Sequence, residues 1–298
     1  MTMSRLIAVE FFKLRKRMMT WIVTGVLIAL IILLYSILWN VSGRAGGFRD
    51  GGVFVTYQSL RRSLFLQAGV PVALQVCAAF GTLLAIILAA GAAGGEYAWG
   101  TIRLMATASS GRLRLISARL IVVGGLVAGG VLLAVAVALA YSAIITAVNG
   151  GASWQFLTAG WLKDQFLSYL RTIFVIAPYV ALAFAAATIG RSTLAGVGAG
   201  LGVAFLEPLI SGLMRLGGEP WHSLPNYLIS ANRNIVLLQN HLPPGVPTFG
   251  GSDARDARNG TVNSVEEASI ILAFWIVVFI ALTFAVYRRR DITAGGGA

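Results

Sequence analysis

Residue types able to do chemistry are scarce in this chain of 298 residues. Its only lysines are Lys13, Lys16 and Lys163, and none follows a G-x-x-x-x-G pattern. A phosphate-cradling loop of the Walker type is therefore absent from the sequence. His222 and His241 are the only histidines, both in irregular sequence. Without H-E-x-x-H spacing they read as surface residues rather than as metal ligands. The single cysteine, Cys77, lies in an apolar run, which excludes an intrachain disulfide and a cysteine-based metal site. No Ser/His/Asp set can be assembled inside the apolar runs. We expect no catalytic residue, no metal and no cofactor on this chain; it is not expected to be an enzyme.

The polar residues that remain fall into three groups. The first is a connector, residues 94–114, running Gly94-Gly95-Glu96-Tyr97-Ala98-Trp99-Gly100-Thr101-Ile102-Arg103 and on through Ser109, Ser110 and Arg112. An acid ends one helix, Gly100 turns the chain, and 101–108 forms a short amphipathic run before Ser109 or Ser110 caps the next helix. Such a short lever between two long helices suits a docking element; the plainer alternative is a tethering loop with interface anchors. The second group is at the N-terminus. At helical spacing Ile7, Phe11, Leu14 and Met18 share a face, with Glu10, Lys13 and Arg17 opposite. Residues 1–20 thus read as an amphipathic helix at a membrane surface. The third is Glu207, deep in an apolar run beside Pro208. It belongs either to a substrate path or interhelical hydrogen bond, or to a wet interface where Pro208 breaks the helix. The second is the reading expected here.

What must position these groups is a membrane-embedded frame. Hydrophobic residues make up 57% of the chain and charged ones 11%, with a mean hydropathy of +0.81. A soluble domain carries about 25% charged residues. Six stretches are long and apolar enough to cross roughly 30 Å of hydrocarbon: 21–39, 71–93, 115–148, 168–189, 193–214 and 269–287. The first exceeds a signal-peptide core and is expected to stay as an anchor. Pro178 and Pro208 predict kinks in the fourth and fifth. The expected architecture is an all-α integral membrane protein, one transmembrane domain over 1–298.

Orientation follows from charge. With both termini on one side, that side holds thirteen basic residues (Arg5, Lys13, Arg15, Lys16, Arg17, Arg103, Arg112, Arg114, Arg119, Arg191 and Arg288 to Arg290) against Glu10, Glu96 and Asp291. The positive-inside rule makes it cytoplasmic. The other side carries loops at 44–69 and 149–165 and a large one at 215–267, where 227–238 could form a short, re-entrant helix. The net charge of +12 is explained by these anchors. Nucleic acid is not an expected partner, because no basic run is interleaved with stacking aromatics. Small-x-x-x-small pairs (Gly91/Gly95, Gly125/Gly129, Gly196/Gly200, Gly198/Gly202) permit close helix packing. That packing is expected mainly within one subunit, with the 196–202 helix the candidate for a subunit interface.

Taken in order along the chain, these features resemble the permease subunits of the ABC-2 family of ATP-binding-cassette transporters. The resemblance rests on the basic N-terminal helix with Glu10-Phe11-Phe12-Lys13-Leu14-Arg15-Lys16-Arg17, six spans, the Glu-x-x-x-Gly-Thr motif at Glu96, Gly100 and Thr101, and the basic residues Arg112 and Arg119 at the third span. Ser109 stands where many relatives carry proline. The resemblance implies that 94–114 is a cytoplasmic coupling helix and that Glu96, Gly100, Thr101, Arg103 and Arg112, with Lys13 and Arg17 beside them, dock a separate ATPase. ATP and Mg would then sit on cytoplasmic ATP-binding-cassette subunits. A second permease copy or sister would complete the path in the plasma (inner) membrane, and export is implied; an apolar or amphipathic substrate would fit a path with few intramembrane charges. The alternative is a force-transmitting subunit that serves an outer-side partner and moves no solute. The absence of an internal repeat and the few intramembrane charges argue against a secondary carrier.

Overall fold

A computed structural model describes residues 2–44, 46–50, 53–98, 112–149, 156–218, 220–240 and 263–289. Six helices in it are long and apolar enough to cross a membrane: Met18–Ser42, Leu66–Gly95, Leu113–Val148, Ala159–Gly190, Thr193–Met214 and Val265–Arg289. We read the chain as a multi-pass membrane protein.

In chain order the elements are α1 (Met3–Lys16), α2 (Met18–Ser42), a hairpin of β1 (Gly47–Asp50) and β2 (Val53–Thr56), α3 (Tyr57–Ser63) and α4 (Leu66–Val76). A π-helical turn, Cys77–Gly81, joins α4 to α5 (Thr82–Ala98), so that the second span is one rod with a widened turn near its middle. Then come α6 (Arg112–Val148), α7 (Ala159–Gly190), α8 (Thr193–Met214), α9 (Ile229–Leu238) and α10 (Val265–Arg289). The hairpin pairs Gly47 with Thr56 and Asp50 with Val53; it and α3 give the first loop a regular structure that the sequence did not suggest. Pro178 and Pro208 lie inside unbroken helices.

The second and fourth spans form the centre, with 67% and 56% of their apolar stretches buried by protein, against 17–28% for the other four. Small side chains make this centre dense. Ala85, Ala89, Ala90, Ala92 and Ala93 of α5 meet Ala181, Ala183, Ala185 and Ala187 of α7 in one buried cluster. Where lipid is as apolar as leucine, such close packing is what holds helices together. α8 adds to this pair through Gly196: a β-carbon there would lie 2.6 Å from the Ala183 carbonyl oxygen and 2.8 Å from the Ala90 β-carbon.

The helices alternate in direction, which places α1, the end of α5, the start of α6 and the α7–α8 turn on one face, here the near face. That turn is tight. Arg191 takes a left-handed conformation (φ 50°) and Ser192 caps α8 by accepting from the Leu194 amide. The hairpin, α3 and α9 belong to the opposite, far side.

Candidate functional site

The near-face site is built around α1. Its protein-facing stripe is Leu6, Glu10 and Leu14, all buried, whereas Phe11 and Met18 are exposed. The stripe is therefore turned from the one that apolar periodicity predicts. The reason is electrostatic. Arg119 of α6, also buried, donates through Nε to Glu10 Oε2 at 3.1 Å, and Lys13 Nζ donates to Oε1 at 2.8 Å. A neutralised carboxylate can occupy a position that an unpaired one could not. Burial acts most strongly on the Glu10 carboxyl and pushes its pKa up, but the charges and hydrogen bonds of Arg119 and Lys13 together outweigh it and hold the group below 4.5.

α1 and α2 are separate helices. Arg17 between them is extended, and the break is tied off by the Thr20 hydroxyl donating to the Leu14 carbonyl and the Trp21 indole donating to that of Arg15. Arg17 then reaches the last turns of α5, donating through Nη1 to the Gly91 carbonyl at 3.0 Å. Gly91 and Gly95 open this notch: a β-carbon at Gly91 would lie 2.2 Å from the Met19 methyl, and one at Gly95 3.0 Å from Arg17 Nη1. Thus α1 is fastened to α6 by Glu10 and to α5 by Arg17, the two helices between which the connector runs.

Of the residues predicted to dock a partner, Lys13 and Arg17 take part in this internal fastening. Glu96 lies in the last turn of α5 and Arg112 opens α6. Gly100, Thr101 and Arg103 lie outside the described residues, as does most of the 94–114 segment.

A second polar site lies towards the far side. The chain after α8 turns back as a 3₁₀ turn, Leu224–Tyr227, followed by α9. Leu228, at the N-cap of α9, has no side chain with which to cap it. Glu207 supplies the cap from α8, its Oε1 accepting from the Ser230 amide at 2.7 Å. A helix N-terminus is where a carboxylate is stabilised. One turn on, Arg233 donates to the Ala78 carbonyl within the π-helical turn of the second span. Its guanidinium also sits 5.8 Å from the ring centre of Tyr179. Asn232 donates to the Asn226 and Leu228 carbonyls, Asn263 donates to Asn232 Oδ1 at 2.9 Å, and Trp275 donates to the Tyr227 carbonyl at 3.0 Å. The 224–238 segment is thereby bound to the second, fourth, fifth and sixth spans.

Among the described residues no group of three or more His, Cys, Asp or Glu side chains could hold a metal ion. His222 contacts the Arg215 carbonyl through Nδ1 at 3.0 Å, and His241 lies outside the described residues. Sequence reasoning missed the partners of two charges. The Glu10–Arg119 pair had a signal in the basic residue one turn inside the third span. Arg233 had one in being the single charge of the Ile229–Leu238 stretch.

No curated protein matches the chain. A family described as "Protein of unknown function (DUF2705)" matches residues 26–293, and the chain belongs to that family.

Proposed function

We propose that this protein is the membrane-spanning permease subunit of an ATP-driven ABC-2 transporter, energised by separate ATP-binding subunits. The observation that carries the reading is the fastening of α1 to both helices that flank the connector, through Glu10–Arg119 and Arg17–Gly91. It braces the ends of α5 and α6, the two helices that 94–114 joins in sequence. In this reading the near face is cytoplasmic, α1 is an amphipathic helix at the inner surface, and 94–114 is the coupling helix. Glu96, Gly100, Thr101, Arg103 and Arg112 contact the ATPase, and Lys13 and Arg17 hold the platform from behind. ATP and Mg belong to that partner, since this sequence has no phosphate loop.

The packing suggests how a push would travel. Met19 of α2 sits in the Gly91 notch of α5, and Gly196 and Gly200 of α8 lie against Ala90 and Ile86 of α5. Close backbone contacts of this kind resist shear, so the first, second and fifth spans would move as one body when the connector is displaced. Two permease subunits would enclose the path across the plasma membrane. Export of an apolar or amphipathic cargo is consistent with few intramembrane charges.

The test is copurification of the tagged chain from its native membrane. A stoichiometric ATPase should accompany the wild type and be lost with Glu96→Ala combined with Arg112→Ala. An unaccompanied chain that moves solute across vesicles without ATP would overturn the reading.

A further inference from the structure

At the far end of α2 a cleft of about 310 Å³ is lined by Trp39, Asn40, Ser42, Gly43 and Arg61. Trp39 closes the apolar run that begins at Trp21, so the cleft lies at the level where hydrocarbon gives way to headgroups. Arg61, from α3, is held there at two points. Its guanidinium carbon is 5.2 Å from the Trp39 ring centre, and Nη2 donates to Asn149 Oδ1 at the end of α6. Asn149 is itself fixed by donating to the Ile145 carbonyl at 2.7 Å. A guanidinium has several further N–H donors, and among the described residues these are uncommitted. Asn40 is exposed, and its side-chain amide makes no hydrogen bond among the described residues. The Ser42 hydroxyl, by contrast, is occupied by the Trp39 carbonyl at 2.8 Å.

Local charge and the shape of α2 define the occupant. Between residues 43 and 65 the sequence carries Arg44, Arg49, Arg61 and Arg62 against Asp50 alone. Asn40 continues a stripe of Val26, Leu33 and Ile37, which are 43%, 59% and 50% exposed and share one helical face. A ligand with an anionic head and an apolar tail matches this sequence of surfaces. The head would meet oriented N–H donors suited to paired phosphate oxygens. The volume is at the small end of ligand sites, enough for a headgroup while the acyl chains stay outside along the stripe.

The geometry points to a binding site for the phosphate of an anionic phospholipid, in which Arg61 grips the phosphate, Trp39 holds Arg61 in place, Asn40 donates to the headgroup and an acyl chain lies on Leu33 and Ile37. This site is independent of ATPase docking.

The test uses the delipidated full-length protein in a non-ionic detergent, with retained ligand counted by native mass spectrometry. The probes are phosphatidylglycerol, a diacylglycerol with the same chains, and inorganic phosphate. Phosphatidylglycerol should bind, the other two should not, and Arg61→Gln should weaken binding about tenfold or more, as expected for loss of a charged hydrogen bond. Arg62→Gln, outside the cleft lining, should bind like the wild type. Should Arg61→Gln not fold, Asn40→Leu on the exposed helix face decides, with a several-fold loss expected. Equal binding of diacylglycerol would reduce the site to ordinary lipid contact and overturn the proposal. Equal binding of inorganic phosphate would make it a soluble-anion site and do the same, as would unchanged binding in the folded variants.

Discussion

Arg119, a residue buried in the third span, donates at 3.1 Å to the carboxylate of Glu10, a residue 109 positions earlier that is buried in α1. Removing one partner strips a buried charge of part of its compensation, Lys13 alone remaining on Glu10 when Arg119 is lost, and the cost runs up to about 3–5 kcal/mol. Arg119→Leu and Glu10→Leu are each expected to lower the thermal stability of the detergent-solubilised protein strongly. The double variant, which buries no charge, is expected to recover most of the loss. A double variant as unstable as the sum of the singles would show that the two residues act separately.

The same pair makes the docking of α1 depend on pH. The carboxyl of Glu10 is held below its ordinary value by Arg119 and Lys13 despite its burial. Its contribution is therefore complete above the unfolded-state value and is lost as pH falls through the folded-state one. Hydrogen exchange of the α1 amides should show protection that is flat near neutrality and declines on acidification below about pH 4. In Glu10→Gln the protection should be low at every pH and should not decline further.

Glycines on one helix separate packing from exposure. A β-carbon at Gly196 would meet the Ala183 carbonyl oxygen at 2.6 Å, whereas at Gly198 it would meet nothing within 4 Å. Gly196→Ala should cost about 1–3 kcal/mol by overpacking, read as a fall in thermal unfolding temperature. Gly198→Ala should stay within about 0.5 kcal/mol of the wild type. Equal effects would contradict the close α5–α7–α8 packing.

Glu207 caps α9 through an oxygen that glutamine also possesses. Glu207→Gln is expected to fold like the wild type, and Glu207→Leu to lose about 1–2 kcal/mol, the scale of an interhelical hydrogen bond in a membrane. Arg233→Leu should release α9 from the second span by removing its donor to Ala78. Protease accessibility of the 224–238 segment measures both. Accessibility that rises in Glu207→Gln as much as in Glu207→Leu would show that charge, and not the cap, holds the segment.

The six long helices were legible in the sequence because hydrocarbon imposes one demand, a run of about 20 apolar residues, and each predicted run lies within a helix of the structure, save that 71–93 also crosses the π-helical turn. The near-face residues were legible as types but not as partners. Periodicity gave α1 an apolar face through Phe11, yet the face that packs carries Glu10, because its neutralising Arg119 comes from a distant span. The prediction that Pro208 breaks the fifth span failed for a related reason: α8 continues to Met214 and Glu207 is buried against α9. Local proline chemistry could not reveal a neighbouring helix whose N-terminus needed a cap. The first loop's hairpin was missed because its strands are only four residues each, too short for alternation to register.

The central claim is that the segment joining the second and third spans faces the cytoplasm and receives work from an ATPase. Thr101→Cys in intact cells tests it most directly, since the native Cys77 is buried. A membrane-impermeant maleimide added outside should leave the new cysteine unlabelled, and a bifunctional crosslinker added to inside-out vesicles should join it to an ATP-binding protein. Labelling from outside, or an adduct with lipid alone, would contradict the account.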